Sequence, residues 1–191
     1  MKRVSTIKIT TIALSAVINM VGGQIALMLK LPVYLDMIGT IFTAAVLGPF
    51  YAIFPGLLSG LLAGISTDIY ALYFLPVQII TGFMAGLIFR TKWMKNNRLV
   101  IGTFAVSIPG TFVSSMISAF LFGGVTSSGS SFIVMILRKI GFDEIASVFI
   151  VQIATDYLDR VLAIVIVLFL VSNLPNDIMG RIKGANYESV Q

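Results

Sequence analysis

The chain has 191 residues, of which 58% are hydrophobic and only 11% are charged, against roughly 25% charged residues in an ordinary soluble domain. So few charges cannot cover the surface of a soluble protein of this length, and lipid is therefore expected to be part of its solvent. The absence of Cys and His excludes thiol nucleophiles, disulfides, imidazole acid–base chemistry and Cys/His metal sites. We expect one domain, no metal and no cofactor.

Six apolar runs predict an all-α membrane protein, a bundle of six transmembrane helices. Their approximate bounds are 7–29, 35–47, 50–65, 72–89, 99–122 and 145–174. The second and third runs flank Gly48-Pro49, and each is shorter than the roughly 20 residues that a spanning helix needs. They could instead form one re-entrant pair, but together they are too long for a single span. We favour two short helices sheltered by their neighbours.

The basic residues are distributed unevenly between the two sides that six spans create. Cytoplasmic loops carry an excess of Lys and Arg, so the more basic side is predicted to be cytoplasmic, with both termini on it. That side holds Lys2, Arg3, Lys8, Arg90, Lys92, Lys95, Arg98, Arg181 and Lys183, and the other holds Lys30, Arg138 and Lys139. The net charge of +5 is therefore explained by topology, and no nucleic-acid partner is expected.

Ionisable residues within or beside a membrane span are costly and suggest function. Asp36 lies at the start of the second run, where it either caps a helix or faces a ligand. Asp156 and Arg160 are four residues apart, so they share a helix face and can pair with each other. The alternative is that this segment, including Asp159, meets a ligand. Asp68 is interpreted as a loop residue.

Neutral polar side chains within the spans form hydrogen bonds between helices or contact a ligand. Among Asn19, Gln24, Gln78 and Gln152, the first two are the better ligand candidates because they lie towards the outer half of the first span. Several aromatic residues near the outer side either stack on a flat ligand or form an interfacial belt. They are Tyr34, Tyr70, Tyr73, Phe74 and Tyr157.

Enzyme signatures are missing from the sequence, which has no Walker A motif, no Gly-x-Ser-x-Gly elbow and no paired-His metal motif. Two matching halves, typical of many secondary transporters, are also missing. A chain this small and this poor in chemistry is predicted to bind a ligand and not to be an enzyme.

Two motifs carry a family resemblance. The first is Leu31-Pro32-Val33-Tyr34-Leu35-Asp36-Met37-Ile38-Gly39-Thr40-Ile41, followed by Leu47-Gly48-Pro49-Phe50. The second is Asp156-x-x-Asp159-Arg160, followed by Leu174-Pro175. In these motifs, in size and in its six-span pattern, the chain resembles the substrate-binding S components of energy-coupling factor transporters.

The resemblance implies a protein of the bacterial plasma membrane that takes up a vitamin or vitamin precursor. An S component captures its substrate from outside, in a pocket between the outer halves of helices four to six and the loop after helix one. It then docks on a membrane scaffold subunit driven by two cytoplasmic ATPases, and is thought to topple in the membrane. The branch with this first motif favours pyrimidine-like or pyridoxine-like vitamins or cobalamin over pantothenate and queuosine precursors.

Residue roles follow by carrying the resemblance onto this sequence. The family's docking motif, Ala-x-x-x-Ala, has its nearest match at Ala13-x-x-x-Val17, with a face of small residues around it. We expect docking through Thr11, Ala13, Ser15, Ala16 and Val17. We expect substrate binding by Asn19, Gln24, Tyr34, Asp36, Gln78, Asp156, Asp159 and Arg160, with the segment 29–36 as a lid. The alternatives are a self-sufficient carrier or channel, and a membrane scaffold that transports nothing.

Overall fold

The computed structural model describes residues 5–94 and 98–183, which form nine α-helices and no strand within those ranges. Lys2, Arg3 and Lys95 lie outside the described residues. The all-helical prediction is confirmed for the described chain. The helices are α1 (Thr6–Met28), α2 (Ile38–Leu47), α3 (Pro49–Ser66), α4 (Tyr70–Tyr73), α5 (Leu75–Ile88), α6 (Leu99–Phe122), α7 (Ser130–Ile140), α8 (Glu144–Asn173) and α9 (Asn176–Lys183).

The predicted break between the second and third helices is a single residue, Gly48. Its φ of +89° belongs to a region that glycine adopts at little cost, and Pro49 then starts α3, where its missing N–H is not needed. The turn packs closely on α5, because a Cβ atom added to Gly86 would lie only 2.3 Å from the Cα of Pro49. Helices α2 and α3 are therefore separate and antiparallel.

Six helices, α1, α2, α3, α5, α6 and α8, run in alternating directions between two ends of the bundle. At the basic end, the Lys8 ammonium lies 5.2 Å from the ring centre of Tyr51, and α9 contacts α1 and α2. The other end we name the serine-rich end, after the loop 127–131. There the Tyr70 and Phe122 rings lie 4.8 Å apart, and an ion pair of 2.6 Å joins Arg138 to Glu144. Helices α1, α3 and α6 therefore run opposite to α2, α5 and α8.

In the described part of the chain, three helices are long and apolar enough to cross a membrane: Thr6–Met28, Pro49–Ser66 and Leu99–Phe122. Helices α8 and α9, which meet at a bend of 110°, could supply a fourth span. Helices α2 and α5 are apolar but shorter, with 10 and 14 residues. These apolar helices support a membrane protein.

Several predicted bounds were wrong. Helix α2 starts at Ile38 and not at 35, because Leu35 and Asp36 belong to the preceding loop. The run 72–89 is divided between α4 and α5 just before Pro76, which favours the first turn of a helix over its interior. Helices α7 and α9 were not predicted, because both are short and less apolar than a span.

The largest hydrophobic core lies towards the basic end. It joins α2, α3, α5, α6 and α8 through fully buried side chains that include Met37, Ile41, Val106, Ile164 and Val167. A smaller cluster at the serine-rich end, including Val134 and Val148, joins α7 to α8.

Two of the predicted docking residues lie inside the bundle. Ser15 and Ala16 are buried, and the Ser15 hydroxyl accepts a hydrogen bond of 2.9 Å from Thr43 on α2. A Cβ atom on Gly39 would lie 2.0 Å from the Ser15 carbonyl oxygen, so α1 and α2 touch at this point. Ala13 and Val17 are exposed, and Thr11 is half-buried. The prediction is corrected for Ser15 and Ala16, because their side of α1 packs against α2.

Candidate ligand cavity

A cavity of about 110 Å³ opens at the serine-rich end of the bundle. Its wall combines α1, the α1–α2 loop, α3, α4, α5, α6, the α6–α7 loop and α8. Seven of the eight predicted substrate-binding residues line it, namely Asn19, Gln24, Tyr34, Asp36, Gln78, Asp156 and Arg160. The sequence therefore indicated correctly which polar residues come together, although they are separated by up to 141 positions.

Asp159 is the exception, since it is absent from the cavity wall and fully buried behind it. One of its carboxylate oxygens accepts hydrogen bonds from the backbone N–H groups of Tyr34 (3.1 Å) and Leu35 (2.7 Å). The other oxygen pairs with the guanidinium of Arg160. The prediction of a ligand-binding role is corrected here. Asp159 attaches the α1–α2 loop to α8.

The α1–α2 loop is held in a constrained conformation. Leu35 has a φ of +53°, in the left-handed region that non-glycine residues occupy only at a cost of roughly 1–3 kcal/mol. Its carbonyl oxygen lies against α1, where a Cβ atom on Gly22 would approach it to 2.1 Å. Gly129 packs as closely on the carbonyl oxygen of Lys30. Glycines on either side and the Asp159 carboxylate thus fix this loop over the cavity.

Asn19 caps α2 from the side. Its carbonyl oxygen accepts from the N–H groups of Gly39 (2.8 Å) and Thr40 (3.3 Å), which belong to the first turn of α2 and have no partner within that helix. Its amide nitrogen donates to the Thr40 hydroxyl at 2.8 Å. Of the two interpretations of Asn19, the structure shows the hydrogen bond between helices. The cap of α2 is therefore supplied by Asn19 and not by Asp36.

Asp36 faces the cavity with Gln78 as its neighbour. The Gln78 amide nitrogen donates to an Asp36 oxygen at 2.5 Å. The other end of that amide, the buried Oε1 of Gln78, has no hydrogen-bond partner among the described residues. Asp36 lies in the loop before α2, where burial, and next the nearby Asp159 carboxylate, raise its pKa to about 6.

Asp156 and Arg160 do not form the predicted ion pair. The Asp156 side chain is turned towards α6, where it accepts a hydrogen bond of 2.8 Å from the Ser114 hydroxyl. Arg160 pairs with Asp159, its neighbour in sequence. Ser114 was not singled out from the sequence, because a serine in a small-residue helix carries no signal of its own. Ser114 and Asp156 are 42 positions apart, so no local sequence pattern predicts their contact.

The mouth of the cavity is polar and aromatic. Gln24 donates to the Thr67 hydroxyl at 2.5 Å, and Asp68 accepts from the Ser127 hydroxyl at 2.6 Å. Asp68 is a loop residue, as predicted, and it also lines the cavity. Tyr34, Tyr70 and Phe74 contribute rings to the wall. Of the other aromatic candidates, Tyr73 and Tyr157 are not part of it, and Tyr157 packs against Phe104 on α6.

Within the described residues, no group of three or more Asp or Glu side chains is placed to hold a metal ion. The cavity offers carboxylates, one guanidinium, three amides and hydroxyls, which together suit the binding of a small polar solute. No protein-family model, no curated protein and no solved structure matches the chain.

Proposed function

We propose that this chain is the substrate-binding S component of an energy-coupling factor transporter. The observation that carries the proposal is the cavity walled by Asp36, Asp156 and Arg160 within a bundle of apolar helices. Buried charged groups are costly in such a bundle, and they mark substrate pathways by default. A binding subunit needs only such a cavity, because partner subunits supply the energy.

We further propose that the chain crosses the bacterial plasma membrane six times, with both termini in the cytoplasm. The alternating direction of six helices supports this topology. The basic end carries Lys8, Arg90, Lys92, Arg98, Arg181 and Lys183, whereas Lys30, Arg138 and Lys139 lie near the serine-rich end. By the positive-inside rule the basic end is cytoplasmic, so the cavity opens outward.

The size of the cavity bears on the substrate. A cavity of about 110 Å³ favours a compact solute over one as large as cobalamin. Of the two vitamin classes that the resemblance favours, the pyrimidine-like and pyridoxine-like class is therefore the one we propose.

Co-purification tests the proposal. We expect the tagged chain, co-expressed with an energy-coupling factor scaffold and its two ATPases, to retain all three partners in detergent. A self-sufficient carrier or channel would instead move solute in liposomes that contain this chain alone. A chain that transports alone and binds no partner would contradict the proposal.

A pair of variants locates the docking surface in the same experiment. Ala13→Trp adds bulk to the exposed face of α1 and should abolish co-purification, since this face is the predicted contact with the scaffold. Val165→Trp makes a comparable change on the exposed face of α8, at a side chain that is 51% exposed, and should leave the complex intact. If both variants retain the scaffold and the ATPases equally well, the docking surface does not lie on this face of α1.

A further inference from the structure

The charges that line the cavity do not balance. Three carboxylates line it, namely Asp36 and Asp156 in the wall and Asp68 at the mouth, and Asp156 is only 2% exposed. Arg160 also lines the cavity, but its guanidinium is paired with Asp159, which is fully buried. That ion pair is neutral as a unit. Among the described residues, the cavity wall therefore holds three carboxylates and one guanidinium, which is already paired with Asp159.

The hydrogen bonds that these carboxylates receive come from neutral groups. Gln78 donates to Asp36, and Ser114 donates to Asp156. An amide or a hydroxyl orients a carboxylate but does not neutralise it, and a buried charge remains costly until an opposite charge accompanies it. The α2 N-terminus offers little compensation to Asp36, because Asn19 already accepts from its first N–H groups.

The side chain of Gln78 also contains an acceptor without a donor. The Oε1 atom of Gln78 is buried and has no donor among the described residues, while the side chain as a whole is 7% exposed and lines the cavity. An unsatisfied buried acceptor costs about 1–3 kcal/mol. Gln78 therefore adds an unsatisfied acceptor beside Asp36.

The aromatic part of the wall also favours a cation. Tyr34, Tyr70 and Phe74 line the cavity, and the Tyr70 ring is held edge to face against Phe122 at 4.8 Å. The face of an aromatic ring is electronegative and attracts ammonium groups and other organic cations. Carboxylates combined with aromatic faces are the means by which proteins recognise such ligands.

We propose that the solute captured in this cavity is a small organic cation, a ring-bearing ammonium or a protonated nitrogen heterocycle, whose N–H groups donate to Asp36 and Asp156. The inference rests on the proposed capture function and narrows its substrate class. An anionic solute would need a free guanidinium, and that of Arg160 is already paired with Asp159.

Three probes that share one ring and differ in charge test the inference. Benzylammonium, benzyl alcohol and benzoate are added at equal concentration and ionic strength to the purified full chain in detergent, and the Tm is measured. We expect benzylammonium to raise the Tm at least twice as much as either of the others. This ranking requires no variant.

Two isosteric variants then locate the effect. Asp36→Asn and Asp156→Asn keep an oxygen acceptor for Gln78 and Ser114 but remove the charge, and each should lose more than half of the benzylammonium shift. The double variant, which carries both Asp36→Asn and Asp156→Asn, is the reference for any change in Tm that the probes cause by acting on the detergent micelle. Glu144→Gln is the matched control, because it removes an exposed carboxylate at the same end of the bundle but outside the cavity, and it should retain the full shift.

The possible outcomes separate the two proposals. A larger shift with benzoate or benzyl alcohol, or an undiminished benzylammonium shift in both Asn variants, would overturn the cationic substrate and leave the capture site standing. If none of the probes stabilises the wild-type chain more than the double variant, both the cationic substrate and the capture site are overturned.

Discussion

The two halves of α8 show how one helix serves two purposes. In its first half the buried residues include the polar Gln152, Asp156 and Asp159 as well as two valines of the smaller cluster, whereas in its second half they are Ala163, Ile164 and Val167. The second half packs into the main hydrophobic core, whereas the first half borders the cavity and holds the α1–α2 loop.

The comparison indicates that the main hydrophobic core lies towards the basic end, whereas the residues available to a ligand lie at the serine-rich end. The apolar half joins the same helices that surround the cavity, so it fixes their spacing without contributing to binding. The polar half can then hold charged groups that would not by themselves stabilise the fold. Substitutions in the polar half should therefore affect both stability and ligand binding, whereas those in the apolar half should affect stability alone.

The largest effect is expected from Asp159→Ala in the polar half. This change leaves Arg160 as a buried, unpaired cation and frees the N–H groups of Tyr34 and Leu35, so the free energy of unfolding should fall by about 3–5 kcal/mol. Thermal unfolding in detergent measures it. Glu144→Gln, which breaks an ion pair about 40% exposed, should cost no more than about 1 kcal/mol. Similar losses in the two variants would contradict the role of Asp159 as an attachment point.

In the apolar half, Ile164→Ala should lower the free energy of unfolding by about 2–5 kcal/mol, because it opens a cavity at a fully buried position in the main core. The ranking of the three benzyl probes should stay the same in the folded variant, since Ile164 does not line the ligand cavity. A changed ranking would show that the two halves are not separate in function.

A smaller effect is expected from pH. Because the pKa of Asp36 is raised to about 6, the carboxyl is ionised above neutral pH and mostly protonated at about pH 5, where the affinity for benzylammonium should be about tenfold lower. The charged groups that face Asp36 are Asp159, Arg160 and Asp156. Titration of the probe at several pH values measures the change.

The contribution of Asp36 to stability has the opposite sign. Its pKa in the folded chain lies above its unfolded value, so the protonated carboxyl favours folding below about pH 4, and this contribution is lost as the pH rises through about 6. Asp36→Asn should flatten both trends. Binding that strengthens on acidification would contradict the charge assigned to the cavity.

The sequence was sufficient for the helical class, the break at Gly48-Pro49 and seven of the polar residues that line the cavity. Apolar runs and a glycine–proline pair are local signals. Polar residues within such runs face the interior of the bundle, because exposure to lipid is costly for them. For this reason Asp36, Gln78, Asp156 and Arg160 could be chosen before their contacts were known.

The sequence did not determine the task of each polar residue. Asp159 and Leu35 are 124 positions apart, and Asn19 and Gly39 are 20 apart, so no local pattern shows that one side chain attaches a loop and the other caps a helix. The same holds for Ser15 and Ala16, whose burial depends on how α1 meets α2.

Composition and periodicity determined that this chain forms apolar helices with a few inward-facing polar groups. Tertiary structure decided which of those groups are paired and which remain available to a ligand. The physical reason is that hydrophobic burial follows the local sequence of a helix, whereas a hydrogen bond or an ion pair depends on where a second helix places its partner.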